Sequence, residues 1–194
     1  MTMEAKAGKS RTDGKGSAAY AEHVLDLFAE VLHKTITVRP LKEAGGDTTP
    51  GLAQGLQYLY QHGCCSVSEI GHGLSMSRPA ASQLTDRLVD RNLASRCENR
   101  LNRRQTEVRL TDEGRLLVEN IRLQRITGLS RILQRMETDD RAAFIGYLES
   151  FITAAVEDAH GALESCSHCG SDHLSECVIN EVYTAATGKP INEI

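Results

Sequence analysis

Apolar residues recur along this chain at helical spacing in long blocks and at strand spacing in short ones. From Ala18 to about Val38, Tyr20, Val24, Leu27, Phe28, Val31 and Leu32 fall on one stripe. Arg39-Pro40 predicts the end of that helix, because proline removes a donor, and Gly45-Gly46-Asp47 predicts a loop. Thr49 is placed to cap a second helix, with Pro50 at its first position and Leu52, Leu56 and Leu59 lining it up to Gly63. Ser66 and Glu69 form an S-x-x-E capping box, which opens a short helix that stops at Gly71 and Gly73. Ser77 caps the next helix, with Pro79 in its first turn. Ala81, Leu84 and Leu88 make its buried stripe, and Ser82, Gln83, Asp86 and Arg87 take the other face. Leu93 to Arg96 and Thr106 to Leu110 read as short strands joined by an arginine-rich hairpin. Thr111 then caps a helix from about Asp112 to Met136, carrying Leu116, Leu117, Ile121, Leu129, Ile132 and Leu133. Thr138-Asp139-Asp140 caps its successor, where Phe144, Tyr147, Leu148, Phe151, Ile152, Ala155 and Val156 form a broad apolar face.

Two short helices joined by a turn, followed by a hairpin, predict a mainly α fold: a winged helix-turn-helix with a small β-hairpin wing. The expected organisation is a disordered N-terminal arm at 1–17, an N-terminal helix and loop at 18–48 and the winged helix-turn-helix at 49–111. C-terminal helices follow at 112–160, and a Cys-rich tail at 161–194. The terminal helices are too long and apolar for one small winged domain to cover, which predicts a dimerisation domain built by two copies of the chain.

At four places the chain resembles the MarR family, the multiple-antibiotic-resistance type of bacterial transcription regulator. They are the S-R-P-A-A-S-Q-L-T-D-R-L helix from Ser77, R-N-L-A-S-R from Arg91, the N-R-R hairpin tip at Asn102-Arg103-Arg104, and V-R-L-T-D-E-G from Val108. The resemblance spans roughly residues 18 to 158. It implies a homodimeric DNA-binding regulator, most often a repressor, with an effector pocket between the dimer helices and the winged domain. Tyr20, His23 and Tyr58 are candidate liners. The family usually carries Asp where Asn102 stands, so an arginine brace expected at the tip is weaker here or comes from elsewhere.

Charge changes the picture once it is mapped. The net charge is −4 over 194 residues. From Arg78 to Arg109, however, eight arginines face four acids, and from Glu137 onward eleven acids face Arg141 and Lys189. The basic segment coincides with the helix-turn-helix and wing and points to double-stranded DNA as partner. Two recognition helices about 34 Å apart would read a pseudo-palindromic operator. Candidate DNA contacts are Ser77, Arg78, Ser82, Gln83 and Arg87 on the helix and Arg103 and Arg104 on the wing. Arginine can chelate guanine and glutamine adenine in the major groove, and serines suit phosphates. Arginines at a wing tip suit a narrow minor groove. Arg87 could instead pair with Asp86 or Asp90, and Arg91, Arg96 and Arg100 could be ordinary solvated charges. No apolar run reaches the ~20 residues of a membrane span, and no secretion signal is evident, so a cytoplasmic location is expected.

Six cysteines in a reducing compartment read as thiols or metal ligands before disulfides. Adjacent Cys64 and Cys65 are expected to be partly buried structural thiols. Cys166, Cys169, His173 and Cys177 make a C-x2-C-x3-H-x3-C set, whose first pair predicts a knuckle turn, and this donor set suits tetrahedral zinc. His168 could replace His173. Cys64, Cys65 or Cys97 could complete an iron–sulfur cluster with the tail thiols, and a Cys166–Cys169 redox switch is chemically possible. The following helix, with Val178, Val182 and Tyr183, ends at Gly188-Lys189-Pro190 and could dock on the long helices. The leading function is a DNA-binding regulator answering a small-molecule, metal or redox signal. A metalloenzyme using the tail is disfavoured, since no H-E-x-x-H, G-x-S-x-G or P-loop accompanies the cysteines. An interaction protein that lost DNA binding is disfavoured by the arginine-rich wing.

Overall fold

A computed structural model describes residues 17–45, 48–98, 106–169 and 176–191. Ser17 caps α1 (Ala18–His33), its hydroxyl accepting from Tyr20 N–H. A π-helical turn (Lys34–Val38) leads into α2 (Arg39–Glu43). Arg39-Pro40 was expected to stop the first helix, yet the chain coils on through it. A proline at position 40 leaves the carbonyl four residues back without its donor. The π turn absorbs the change of register, with Arg39 N–H donating to Lys34. Pro40 and Leu41 are thereby buried, and the helix ends beyond Ala44, at Gly45 with φ +89°.

Thr49 caps α3 (Pro50–His62), and its hydroxyl accepts from Leu52 N–H. The strand β1 (Cys65–Ser66) follows, then α4 (Val67–Gly73) and α5 (Arg78–Asp90). Strands β2 (Ala94–Glu98) and β3 (Thr106–Leu110) form the hairpin, with Ala94 opposite Leu110 and Glu98 opposite Thr106. β1 pairs on the other edge of β3, Cys65 opposite Val108, to give an antiparallel sheet of order β1-β3-β2. A two-residue strand is too short to leave a periodic signal, and the sequence reading missed it.

Leu56, Leu59, Ile70, Leu88 and Val108 are almost wholly buried where α3, α4, α5 and the sheet meet. Each large apolar side chain so buried contributes about 1.5–3 kcal/mol. Thr111 caps α6 (Asp112–Leu133), whose Val118 joins this core. Arg115 and Arg122 lie 5.4 and 5.3 Å from the Tyr60 ring centroid and fasten α6 to α3.

α7 (Thr138–Ala155) begins at Glu137, which occupies the cap position without a side-chain bond, so Thr138 lies inside the helix rather than capping it. An edge-on contact between Phe28 and Phe144, centroids 6.0 Å apart, joins α7 to α1. Neither α1 nor α7 holds a buried residue. α8 (Ala159–Cys169) and α9 (Val178–Thr187) extend the chain, Gly188 ending α9 at φ +77°. Ile179 and Tyr183 of α9 pack on Ala162 of α8, beside Ile152 and Val156, so α9 docks on its own chain's C-terminal helices. No helix among the described residues is long and apolar enough to cross a membrane.

Candidate nucleic-acid interface

The helix-turn-helix is assembled from local hydrogen bonds that its residue types dictate. In the α4 capping box, Ser66 N–H donates to the Glu69 carboxylate at 2.7 Å while Glu69 N–H donates to the Ser66 hydroxyl at 3.2 Å. Hydrogen bonding from the Ser66 backbone N–H, and then from its hydroxyl, holds the Glu69 carboxyl below its ordinary pKa. After Gly73 the chain turns through Ser75, at φ +51°, and Met76 N–H closes the turn on Gly71 carbonyl at 2.8 Å. Ser77 in extended backbone caps α5 by accepting from Ala80 N–H, and Pro79 sits in the first turn, where its missing donor costs little.

α5 buries Ala81, Leu84, Thr85 and Leu88. Thr85 was not anticipated; it is fully buried, and its hydroxyl donates to Ala81 carbonyl at 2.8 Å. That bond satisfies the hydroxyl without a tertiary partner. With this face committed, Ser77, Arg78, Gln83, Asp86 and Arg87 stand exposed and Ser82 is half-buried. The helix thus presents together the five residues singled out on it, beyond an N-terminus suited to phosphate. Asp86 is engaged by Arg96 of β2, an ion pair that spans from helix to wing. At this exposure it contributes little stability, under about 1 kcal/mol, but it leaves Arg87 other than the partner of Asp86. Arg103 and Arg104, with Asn102 and Arg100, lie outside the described residues. The strands that carry that tip are in place.

A cavity of about 260 Å³ lies between the π turn with α2, α3 and α6, lined by Thr37, Gln57, Tyr58, Ile121 and Arg125, with Cys169 at its edge. Tyr58 is a liner, as expected, and burial pushes its phenol pKa up. Tyr20 and His23 stand exposed on α1 and are not among the liners.

Cys64 and Cys65 behave differently from one another. Cys65 is buried, and burial pushes its thiol pKa to about 11, whereas Cys64 is exposed, contrary to expectation. Strand pairing explains the split, because alternation sends Cys65 into the core beside Val108. In the tail, Cys166 and Cys169 lie on the last turn of α8 rather than in a knuckle turn. The Ala-Leu-Glu stretch favours helix, and Asp158 accepts from Gly161 N–H at its start. Cys177 stands at the N-cap of α9. Burial first, then the charges of Cys169 and Cys177, raise the Cys166 pKa, so the three thiols lie within electrostatic reach. His173 and the side chain of His168 lie outside the described residues.

Residues 49–106 match the model of the MarR family. The chain is 32% identical over 92 residues to the HTH-type transcriptional repressor MdtR of Bacillus subtilis (strain 168), a match covering 47% of this chain and 59% of that repressor. It therefore spans less than two thirds of this relative's length. Among solved structures, YusO of Bacillus subtilis is 26% identical, with a TM-score of 0.60, over 71% of this chain and 99% of that one. FabT of Streptococcus pneumoniae, solved in complex with DNA, is 12% identical with a TM-score of 0.59, over 70% and 96% of the two chains. The last likeness is one of fold.

Proposed function

We propose that this chain, which belongs to the MarR family, is a homodimeric, sequence-specific DNA-binding transcription regulator acting as a repressor. The observation that carries this reading is the division of α5: Ala81, Leu84, Thr85 and Leu88 are buried, while Arg78, Gln83 and Arg87 face solvent from a helix whose far side is anchored in the core. Such a helix enters a major groove without giving up packing. Arg103 and Arg104 extend the contact to the adjacent minor groove.

The second copy is supported by α1, α6 and α7. Leu27, Val31, Leu116, Ile126, Tyr147 and Phe151 are each at least half exposed, an apolar surface that calls for a partner. The signal enters at the cavity beside Tyr58, which suits a small-molecule effector, or at the tail. There Cys166, Cys169 and Cys177 with His173 would take zinc, or alternatively form part of an iron–sulfur site. Cys166, Cys169 and Cys177 lie at the end of α8 and the start of α9, and their sulfurs are not all within 4.8 Å of one another, so a common ligand requires the tail to close on it.

The test is duplex affinity measured across salt concentrations for wild type, Gln83→Ala and Arg87→Ala. A steep log–log salt slope is expected, and loss of a base-reading pair should cost about 1–3 kcal/mol, roughly 5–150-fold, on the preferred sequence. Binding that is absent at low salt, or indifferent to both substitutions and to sequence, ends the reading. Metal content and duplex affinity of Cys166→Ser/Cys169→Ser, both unchanged, would remove the tail from it.

A further inference from the structure

The Sγ atoms of Cys64 and Cys97 and a carboxylate oxygen of Glu107 lie within 4.8 Å of one another. Strand register brings them together. Cys97 stands opposite Glu107 across β2 and β3, and Ser66 stands opposite Glu107 from the other edge. Cys65 faces the core, so its neighbour Cys64 turns to the side that Cys97 and Glu107 occupy. Among the described residues, this group contains no tail cysteine.

We propose that Cys64, Cys97 and Glu107 bind a thiophilic divalent cation of the zinc type, tying the loop after α3 to both strands of the wing. Two thiolates and a carboxylate, with water in the fourth position, are a zinc donor set. Zn–S of about 2.3 Å and Zn–O of about 2.0–2.2 Å put tetrahedral donors roughly 3.4–3.8 Å apart, so the three atoms need close by only about 1 Å. Of the three, Cys64 also lines a groove of about 540 Å³ walled by Ser95, Arg109, Asp112 and Glu113.

The simpler rival is a disulfide between the two thiols, and the sheet disfavours it. β1 and β2 lie on opposite edges of β3. Strands are spaced about 4.8 Å apart, so the backbones beside Cys64 and at Cys97 are roughly 9–10 Å apart. A disulfide tolerates Cα separations up to about 6.8 Å. A cation between the sulfurs spans a distance that an S–S bond does not.

Binding displaces the two thiol protons: two Cys–SH and M2+ give a dithiolate complex and two H+. The complex therefore weakens as pH falls.

The experiment is calorimetric titration of Zn2+ into the reduced, chelator-treated full chain, in two buffers of different ionisation enthalpy. Wild type is compared with Cys64→Ser, Cys97→Ser and Glu107→Gln. Either serine variant should lose one equivalent of Zn2+ or bind it at least about 100-fold more weakly, and Glu107→Gln about 10-fold more weakly, going by losses that even outer-shell partners produce. About two protons should leave per cation at this site. Cys64 is exposed, so Cys64→Ser keeps the fold and decides the matter even if Cys97→Ser does not. Unchanged stoichiometry and affinity in Cys64→Ser overturns the proposal, as does a Cys64–Cys97 disulfide found by peptide mapping. A site in the tail is separable, because Cys166→Ser/Cys169→Ser removes a different equivalent.

Discussion

Replacing Gly114 by alanine tests how tightly the wing is fixed to α6. A Cβ there would lie 1.9 Å from the Leu93 carbonyl oxygen and 2.9 Å from its carbon. Ordinary contact begins near 3.4 Å, so α6 and the start of the wing must part by about 1.5 Å. That oxygen also accepts from Thr111 N–H at 3.1 Å, beside the cap of α6. Overpacking costs about 1–3 kcal/mol, and the weakened hydrogen bond adds about 0.5–1.5 kcal/mol. Against this stands a gain of up to about 1 kcal/mol in helix propensity. The net expectation is a loss of about 1–3 kcal/mol, lowering Tm by roughly 2–12 °C for a chain of this size. Gly51→Ala is the control: it lies in α3 with nothing within 4 Å, and it should gain about 0.5 kcal/mol. Urea and thermal unfolding at one fixed protein concentration give both values, concentration being held because oligomers unfold by mass action. Gly114→Ala as stable as Gly51→Ala would refute the close approach.

Further outcomes follow from single side chains. The Glu69 carboxyl is held below its unfolded value by Ser66, so its stabilisation is complete above about pH 4.3 and is lost as pH falls through the folded value. Wild type should therefore lose its advantage over Glu69→Gln between neutral and acid pH, and a pH-independent gap contradicts this. Iodoacetamide at pH 8 should label Cys64 well before Cys65, whose thiol burial pushes up to about 11; peptide masses showing the reverse order would sink the strand-alternation account. On the dimer proposed above, Phe151→Asp, at a position 59% exposed, should sediment as monomer where wild type sediments as dimer, without a change in helix content. A dimer that persists locates the interface elsewhere.

Much of the winged helix was legible because its signals are local. The Ser66–Glu69 box, the caps at Thr49, Ser77 and Thr111, and the Ala81-Leu84-Leu88 stripe each act within one or two helical turns, and each forms as expected. Three local readings failed, one of them the knuckle turn at Cys166–Cys169, which is the last turn of α8. Pro40 was read as a stop because the π turn that accommodates it has no sequence signature, and Thr138 was read as a cap one residue late.

By itself the sequence determined which segments coil, where most of them begin, and which face of α5 must be buried, since capping and periodicity are properties of neighbouring residues. Only the tertiary structure decided that Cys65–Ser66 is a strand, that Arg96 takes Asp86, and that Cys64, Cys97 and Glu107 converge. Those contacts join residues far apart along the chain. Their register is set by how α3, α5 and the hairpin pack around Val108, not by anything the residues themselves spell out in order.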